Sequence, residues 1–165
     1  MSRRKADFPD PNGDFSRDVK VDDVTRMNAT GVSAVFHPRG PEDIQQVIAL
    51  ARKQGTPISI RGTRHCMGAH TIAARGFVID CRRLRCLSFD PSTRIVTTGP
   101  GNTWADLIRY LNQFGFSPRT MQSYSTFSVG GSIAVGAHGI TTDMPVSESV
   151  LWLKLVDAQA TLIDI

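Results

Sequence analysis

The chain has 165 residues, 41% of them hydrophobic, which suits one domain with a sizeable core. Its formal net charge of +4 comes from Lys and Arg spread along the chain, so an anionic dinucleotide fits better than a nucleic acid, which favours basic and interleaved aromatic residues. Three cysteines without paired spacing argue against a disulfide framework or a structural zinc site, and no segment is apolar for long enough to cross a bilayer. We expect a soluble, cytoplasmic protein with no nucleic-acid or membrane partner.

The first elements predicted from the pattern are a leader and a strand-helix-strand unit. Residues 1–30 are polar, contain prolines, and show no sustained apolar period, which predicts a leader that is flexible or lies on the surface. An apolar run at 34–36 predicts a strand, and a helix is expected from Pro41 to the capping residue Gly55. The sequence "TPISI" predicts the next strand, so the spacing indicates a right-handed βαβ unit with parallel strands.

The second half changes character, because short β-rich runs follow one another with turns and no helices between them. These runs are "GFVID", "CLSFD" and "RIVTTG", and they predict a more antiparallel layer. One more helix is predicted within "NTWADLIRYLNQFG", with Asn102 or Thr103 as its N-cap. Two apolar strands around a turn at 158–160 close the sequence.

The predicted fold class is α+β, with two small subdomains at about 31–80 and 81–165. The first holds the βαβ unit, and the second holds a mixed or antiparallel sheet with helices. Because the last strand reaches Ile165 without a cap or polar tail, we expect the domain to continue beyond it or to be completed by a partner chain.

The loop "SIRGTRHCMGAH", residues 59–70, lies where ligands bind, outside the carboxyl end of a predicted parallel strand. Gly62 and Gly68 permit positive φ, so successive N–H groups can form an anion-binding nest. Arg61 and Arg64 add charged donors that suit a pyrophosphate. The same loop can also be interpreted as a turn with solvated arginines.

A metal site is the rival interpretation of this loop, because His65, Cys66 and His70 are all possible ligands. Adjacent side chains at 65 and 66 usually point apart, and no carboxylate follows nearby, so we predict no metal site. A hydrogen-bonded histidine in a tight loop is the other interpretation of His65.

The stretch "TFSVGGSIAVGAHG", residues 126–139, is the second informative loop. Glycines interrupt a run of small residues, and hydroxyl groups at 125, 126 and 128 stand beside them, a combination that suits phosphate or ribityl oxygens. Tight packing of a helix on a sheet is the alternative. A third glycine-rich turn, "TTGPGNTW", can be a hairpin or the start of a helix.

Together these segments resemble, from about residue 22 onward, the PCMH-type FAD-binding domain of the vanillyl-alcohol oxidase and p-cresol methylhydroxylase flavoprotein family. "HPRGPEDIQQVIALARKQGTPISIRG" is similar to the family's opening βαβ unit, and "RGTRHCMGAHT" to its Arg-Gly-x-Gly-His-Ser loop. "TTGPGNTWADLIRYLNQFG" and "SVGGSIAVGAHG" resemble its later helix start and second glycine-rich loop. Four matches in the family's order are specific, whereas any single one is weak.

The resemblance implies that FAD lies between two subdomains, with its pyrophosphate on the backbone of residues 61–66. It implies the cofactor-binding residues Arg61, Gly62, Thr63, Arg64, His65, Cys66, Ser128, Gly130, Gly131, Gly136, His138 and Gly139, with His138 the weakest of them. The substrate site and catalytic base of the family lie downstream of these loops, so the resemblance names no catalytic residue here.

Several family members attach the flavin covalently through the histidine that matches His65, so FAD is expected either bound in that way or held without a covalent bond. Arg64 stands where a second glycine is common, and Cys66 stands where serine is common. Members with a doubly linked flavin carry a cysteine where this chain has Thr126, which sets double attachment aside.

The resemblance therefore implies the FAD-binding portion of an oxidoreductase that passes hydride from a C–H bond of an alcohol, sugar or amine to flavin N5. The alternative is a non-catalytic nucleotide-binding module, or one subunit of a split flavoenzyme. In either case we expect the small-molecule substrate to bind through a further domain or a partner chain, and this chain alone to be inactive.

Overall fold

The computed structural model describes residues 15–140 and 144–165, and it contains a four-stranded sheet built from the first half of the chain. The strands are β1 (Phe15–Val21), β2 (Thr30–Phe36), β3 (Ile58–Arg61) and β4 (Phe77–Asp80), in the order β1-β2-β4-β3. β2, β4 and β3 are parallel, whereas β1 is antiparallel to β2. The parallel relationship predicted for the strands on either side of the first helix is confirmed, with β4 inserted between them.

Strand β4 corrects the prediction of an antiparallel layer starting at "GFVID", because it is the central parallel strand of the sheet. Phe77 and Ile79 pack into the core cluster that contains residues of α1 (Pro41–Gln54), while Val78 packs with a valine cluster that includes Val32. Both faces of this strand are therefore covered. A strand buried on both faces is apolar throughout instead of alternating, which explains its sequence.

Strand β1 corrects the prediction of a flexible or surface leader for residues 15–21, which form a strand of the sheet. Residues 15–21 pair with β2 and bury Val21, while residues 1–14 lie outside the described chain. β1 lies at the edge of the sheet and is mostly exposed, so its side chains are largely polar. Phe15, Val19 and Val21 stand at alternate positions of β1, but Arg17 interrupts the alternation, so the apolar pattern is too short to predict a strand.

Helix α1 begins and ends as its sequence predicts. Pro41 occupies its first turn, and Gly55, at φ +62°, ends it in the left-handed conformation that glycine adopts most readily. Val47 and Ala51 are buried against the sheet. The helix thus covers one face of β2 and β4 and leaves the carboxyl edge of the parallel strands open to the loops.

The described residues of the second half form two antiparallel hairpins and two α-helices. They are β5 (Leu87–Asp90) with β6 (Ile95–Thr98), α2 (Trp104–Asn112), α3 (Val129–Ala134), and β7 (Lys154–Val156) with β8 (Leu162–Asp164). Both hairpins and the second helix confirm the sequence prediction. Short 3-10 helices lie at Cys81–Arg83 and Val146–Ser149.

Helices α2 and α3 pack against each other through a second core. Thr103 is the N-cap of α2 and forms a capping box with Asp106. Trp104 and Leu107 of α2 share a buried cluster with Val129 of α3. The start of α3 is thereby held beside the start of α2. None of the helices in the described ranges is both long and apolar enough to cross a membrane.

Candidate cofactor site

The loop after β3 presents a run of main-chain donors. Within the described part of the chain, the N–H groups of residues 62–66 donate to no protein acceptor. The loop follows the carboxyl end of β3, beside the end of β4. Successive N–H groups around a residue of left-handed backbone form a concave anion site. This donor set fits the pyrophosphate of a dinucleotide.

Arg64 takes the backbone conformation that a glycine would adopt at this position. Its φ is +66°, in a region that costs a residue with a Cβ about 1–2 kcal/mol. The main-chain carbonyl of Arg64 accepts a hydrogen bond from the N–H of Val24 at 3.0 Å. The departure from glycine therefore leaves the turn of the loop intact, and the Arg64 side chain is exposed.

Arg61 directs its guanidinium into the protein and not toward the loop. Its Nε and Nη2 atoms each lie 2.9 Å from Asp80 Oδ2, and both residues are buried. Arg82 adds a second guanidinium to the same carboxylate. Burial raises the pKa of Asp80, but the hydrogen bonds from Arg82 and the charge of Arg61 outweigh burial and hold that pKa below its ordinary value. The predicted charged donor is thus satisfied inside the molecule.

The two glycine-rich loops meet at Gly62 and Ser128. The N–H of Ser128 donates to Thr63 Oγ1 at 3.1 Å. A Cβ built on Gly62 would overlap Ser128 Oγ and would lie 3.0 Å from Ser128 Cβ. Only a glycine at position 62 lets the second loop approach the first so closely. Gly62 and Ser128 are far apart in the sequence and are brought together only by the fold.

His65 lies between the two loops. Its Nδ1 is 3.0 Å from Thr63 Oγ1, its Nε2 is 3.4 Å from Thr126 Oγ1, and its ring centroid is 4.4 Å from that of Phe127. Burial lowers the pKa of His65 below 6.5, so the imidazole is neutral at pH 7. A neutral imidazole donates a hydrogen bond from one ring nitrogen and accepts one at the other, and each nitrogen of His65 has a hydroxyl beside it.

The remaining predicted residues of the second loop divide by what they contact. Gly130 packs on Pro100, where a Cβ would lie 2.5 Å from the proline Cβ, and its N–H donates to the Pro100 carbonyl. Gly131 approaches the Ser128 hydroxyl, and Gly136, at φ +62°, follows the end of α3. Gly130 therefore serves tight packing of α3, but against the turn at Pro100 and not against a sheet.

His138 and Gly139 lie at the far end of the second loop. His138 Nδ1 is 2.9 Å from the carbonyl oxygen of Gly139, a local contact. Gly139 lies against Thr120, whose buried hydroxyl has no hydrogen-bond partner among the described residues. Cys66 is half-buried in the first loop. Across the described ranges, no three His, Cys, Asp or Glu side chains are grouped so that they could hold a metal ion.

Two residues near this site were missed by sequence reasoning. Asp80 ends β4 and holds Arg61, and Asp23 accepts a hydrogen bond from the N–H of Ala69 at 3.0 Å. The run "DDVTRMN" carried a signal for the second, because Asp followed two residues later by Thr is typical of a side-chain-capped turn. Nothing local linked that turn to a loop more than forty residues away.

Comparison with known proteins supports the assignment of these loops to an FAD-binding domain. A family model described as "FAD binding domain" matches residues 32–165. L-gulonolactone oxidase from Bos taurus is 28% identical over 149 residues, which is 88% of this chain and 33% of that protein. Cytokinin dehydrogenase 7 from Oryza sativa subsp. japonica is 27% identical over 124 residues, covering 71% of this chain and 24% of that protein.

A solved structure shows the same fold. 6-Hydroxy-D-nicotine oxidase from Arthrobacter nicotinovorans superposes with a TM-score of 0.77 at 21% identity, over 81% of this chain and 30% of that one. The chain thus spans about a quarter to a third of the length of the relatives it matches. The family match over most of the chain, the shared fold and the donor-lined loop together place it: the chain belongs to the FAD-binding domain family of flavin-dependent oxidoreductases.

Proposed function

We propose that the chain holds FAD with the pyrophosphate on the loop that starts at Arg61 and ends at Cys66. The observation that carries this proposal is the run of N–H groups at 62–66 that donate to no acceptor in the described protein. Arg64 adds a cation at the rim of the loop, whereas Arg61 contributes by holding the end of β3 to Asp80. Charge-assisted donors around a diphosphate are shorter and stronger than neutral ones.

The second loop closes the site from the other side in this proposal. Ser128 meets the first loop at Gly62 and Thr63. We assign Gly131, Gly136, His138 and Gly139 to the same side of the site. Gly130 acts by packing, because it allows α3 to sit on Pro100. The small side chains leave room for a ligand to approach the backbone.

His65 is assigned to the edge of the flavin ring. Thr63 and Thr126 orient its two nitrogens, and burial keeps the ring neutral. A neutral ring nitrogen retains the lone pair that a covalent bond to the flavin 8α-carbon requires. His65 is therefore the residue through which attachment would occur.

The reaction we infer is oxidation of a small molecule with a C–H bond next to oxygen or nitrogen, such as an alcohol, a sugar or an amine. When bound, FAD supplies the two-electron acceptor at N5. This chain binds and orients the cofactor, while a further domain or a partner chain forms the substrate site. The share of the relatives that the chain covers, 24% and 33%, supports that division.

Cys66, Cys81 and Cys86 are free thiols, and burial raises the pKa of Cys81 to about 11. Free thiols are typical of reducing compartments, so the proposal includes a cytoplasmic location. Cell fractionation with a tag on the protein tests this part, and recovery outside the cytoplasm would contradict it.

Replacing Gly62 with alanine tests the FAD site. The added Cβ overlaps the Ser128 hydroxyl and remains 3.0 Å from Ser128 Cβ after the hydroxyl rotates, so the loops must separate. We expect at least tenfold weaker FAD binding, measured by quenching of flavin fluorescence. Gly31→Ala is the matched control, because a Cβ there meets nothing within 4 Å. Equal affinity of both variants would contradict the site.

A further inference from the structure

Residues 22–28, which follow β1, contact the first loop at two points. The N–H of Val24 donates to the carbonyl of Arg64 at 3.0 Å, and Asp23 Oδ2 accepts the N–H of Ala69 at 3.0 Å. Two adjacent residues therefore hold both ends of residues 64–69. His65 and Cys66, which carry two of the free N–H groups, lie between those two points.

Hydrogen bonds to both carboxylate oxygens fix the orientation of the Asp23 side chain. It is 5% exposed, and its Oδ1 accepts from the main chain and hydroxyl of Thr25 at 2.9 Å and 2.6 Å. Its Oδ2 accepts from Asn28 Nδ2 at 2.7 Å as well as from Ala69. The hydrogen bond from the Thr25 hydroxyl, with those from Ala69 and Asn28, lowers the pKa of Asp23 to about 2, so the side chain is an acceptor at both oxygens at pH 7.

The contact at Arg64 determines where the next N–H points. In a trans peptide the carbonyl of one residue and the N–H of the next are directed to opposite sides. Because the Arg64 carbonyl points at Val24, the N–H of His65 points away from the 22–28 segment. Arg64 is held at φ +66°, and a conformation of that cost persists only where its surroundings hold it.

We propose that Asp23 is a positioning residue for FAD: it anchors the Ala69 end of residues 64–69, while the adjacent Val24 N–H anchors the Arg64 end, and the two contacts together keep the N–H groups of His65 and Cys66 directed at the cofactor. This inference rests on the proposed function, since it assigns the pyrophosphate to this loop. Asp23 does not touch the cofactor itself. The segment expected to be a leader is thus the support of the cofactor loop.

Asp23→Asn tests the proposal with little change of shape. If the amide oxygen keeps the bonds from Thr25, the amide nitrogen faces the donors of Ala69 and Asn28, and the Ala69 bond is lost. Asp90→Asn is the matched control. Asp90 is held by Ser92 and Thr93 in the same manner, with its pKa lowered to about 2, but it lies on the β5–β6 hairpin.

Two properties are measured: the affinity for FAD, by fluorescence quenching, and the visible circular dichroism of the bound flavin. Far-ultraviolet circular dichroism checks that each variant is folded. We expect Asp23→Asn to bind FAD about tenfold more weakly and, at saturation, to alter the flavin dichroism, while Asp90→Asn leaves both unchanged. A loss of general stability alone would lower the melting temperature and leave the spectrum of the saturated protein as it was.

The outcomes separate the two proposals. If the unaltered protein does not bind FAD at this loop, the proposed function fails and this inference fails with it. If it binds and the two variants match, only the role of Asp23 is overturned. Should Asp23→Asn fail to fold, Asn28→Ala removes one restraint on the same oxygen. We then expect about threefold weaker FAD binding, and unchanged affinity overturns the proposal.

Discussion

The Thr63 hydroxyl accepts a hydrogen bond from the N–H of Ser128 and lies 3.0 Å from His65 Nδ1. One oxygen atom therefore joins the first loop, the start of α3 and the histidine assigned to the flavin. Ser128 is the N-cap residue of α3, so the same contact determines where that helix begins relative to the free N–H groups.

Thr63→Val should lower the free energy of unfolding by about 1–3 kcal/mol, because it leaves the N–H of Ser128 without its acceptor. Thr63→Ser keeps the oxygen and should restore most of the loss. Urea unfolding of both variants makes the comparison. A Thr63→Val variant as stable as the unaltered protein would contradict the role of the hydroxyl as the acceptor for Ser128.

FAD should bind at least tenfold more tightly than FMN. The loop offers consecutive N–H groups at 62–66 and an exposed guanidinium at Arg64, which suit two linked phosphates better than one. Titration of the protein with each flavin under the same salt concentration gives the ratio. Comparable affinities would count against the assignment of this loop to a pyrophosphate.

Arg64→Gly should act in opposite directions on stability and on FAD binding. Glycine removes the conformational cost of φ +66° but loses more backbone entropy on folding than arginine does. The net effect we expect is an increase of about 0.5–1 kcal/mol in the free energy of unfolding. The lost cation should weaken FAD binding several-fold. Arg94→Gly, at φ +59° on the β5–β6 hairpin, should show the gain without the loss of affinity. Calorimetry and FAD titration check the pair.

His65→Ala tests covalent attachment. We expect the flavin-loaded protein to keep its yellow colour in the pellet after acid precipitation, and the variant to release it to the supernatant. The reason is the position of an oriented, neutral imidazole between the two loops. Release of all colour from the unaltered protein would show that FAD is held without a covalent bond.

Asp80→Asn should cost about 3–5 kcal/mol at pH 7, because it leaves the buried Arg61 guanidinium without its counter-charge. The pKa of Asp80 is lowered in the folded protein, so its stabilisation is complete above the ordinary value of 3.8 and is lost as pH falls through the lower folded value. The difference in the free energy of unfolding between the variant and the unaltered protein should therefore be complete at pH 7 and become smaller below pH 3.8. Urea unfolding at pH 7, 5 and 3 measures it, and a gap independent of pH would contradict the ion pair.

The elements that could be predicted from sequence are those whose signals are local. Pro41 and Gly55 mark the ends of α1, Thr103 and Asp106 cap α2, and turn residues separate the strands of both hairpins. These signals act within a few residues, so the chain carries them before it folds. The cofactor loop belongs to this class, because its glycines, arginines and histidine are contiguous.

What only the tertiary structure decided depends on residues far apart in the chain. Arg17 interrupts the apolar alternation of β1, so this strand is identified only by its pairing with β2. β4 is identified as a parallel strand only by its pairing with β2 and β3. Asp23 reaches Ala69 across 46 residues, and Ser128 reaches Thr63 across 65. A hydrogen bond of that span has no local signature, because nothing in the sequence around either residue indicates its partner, and only folding brings the two within hydrogen-bonding distance.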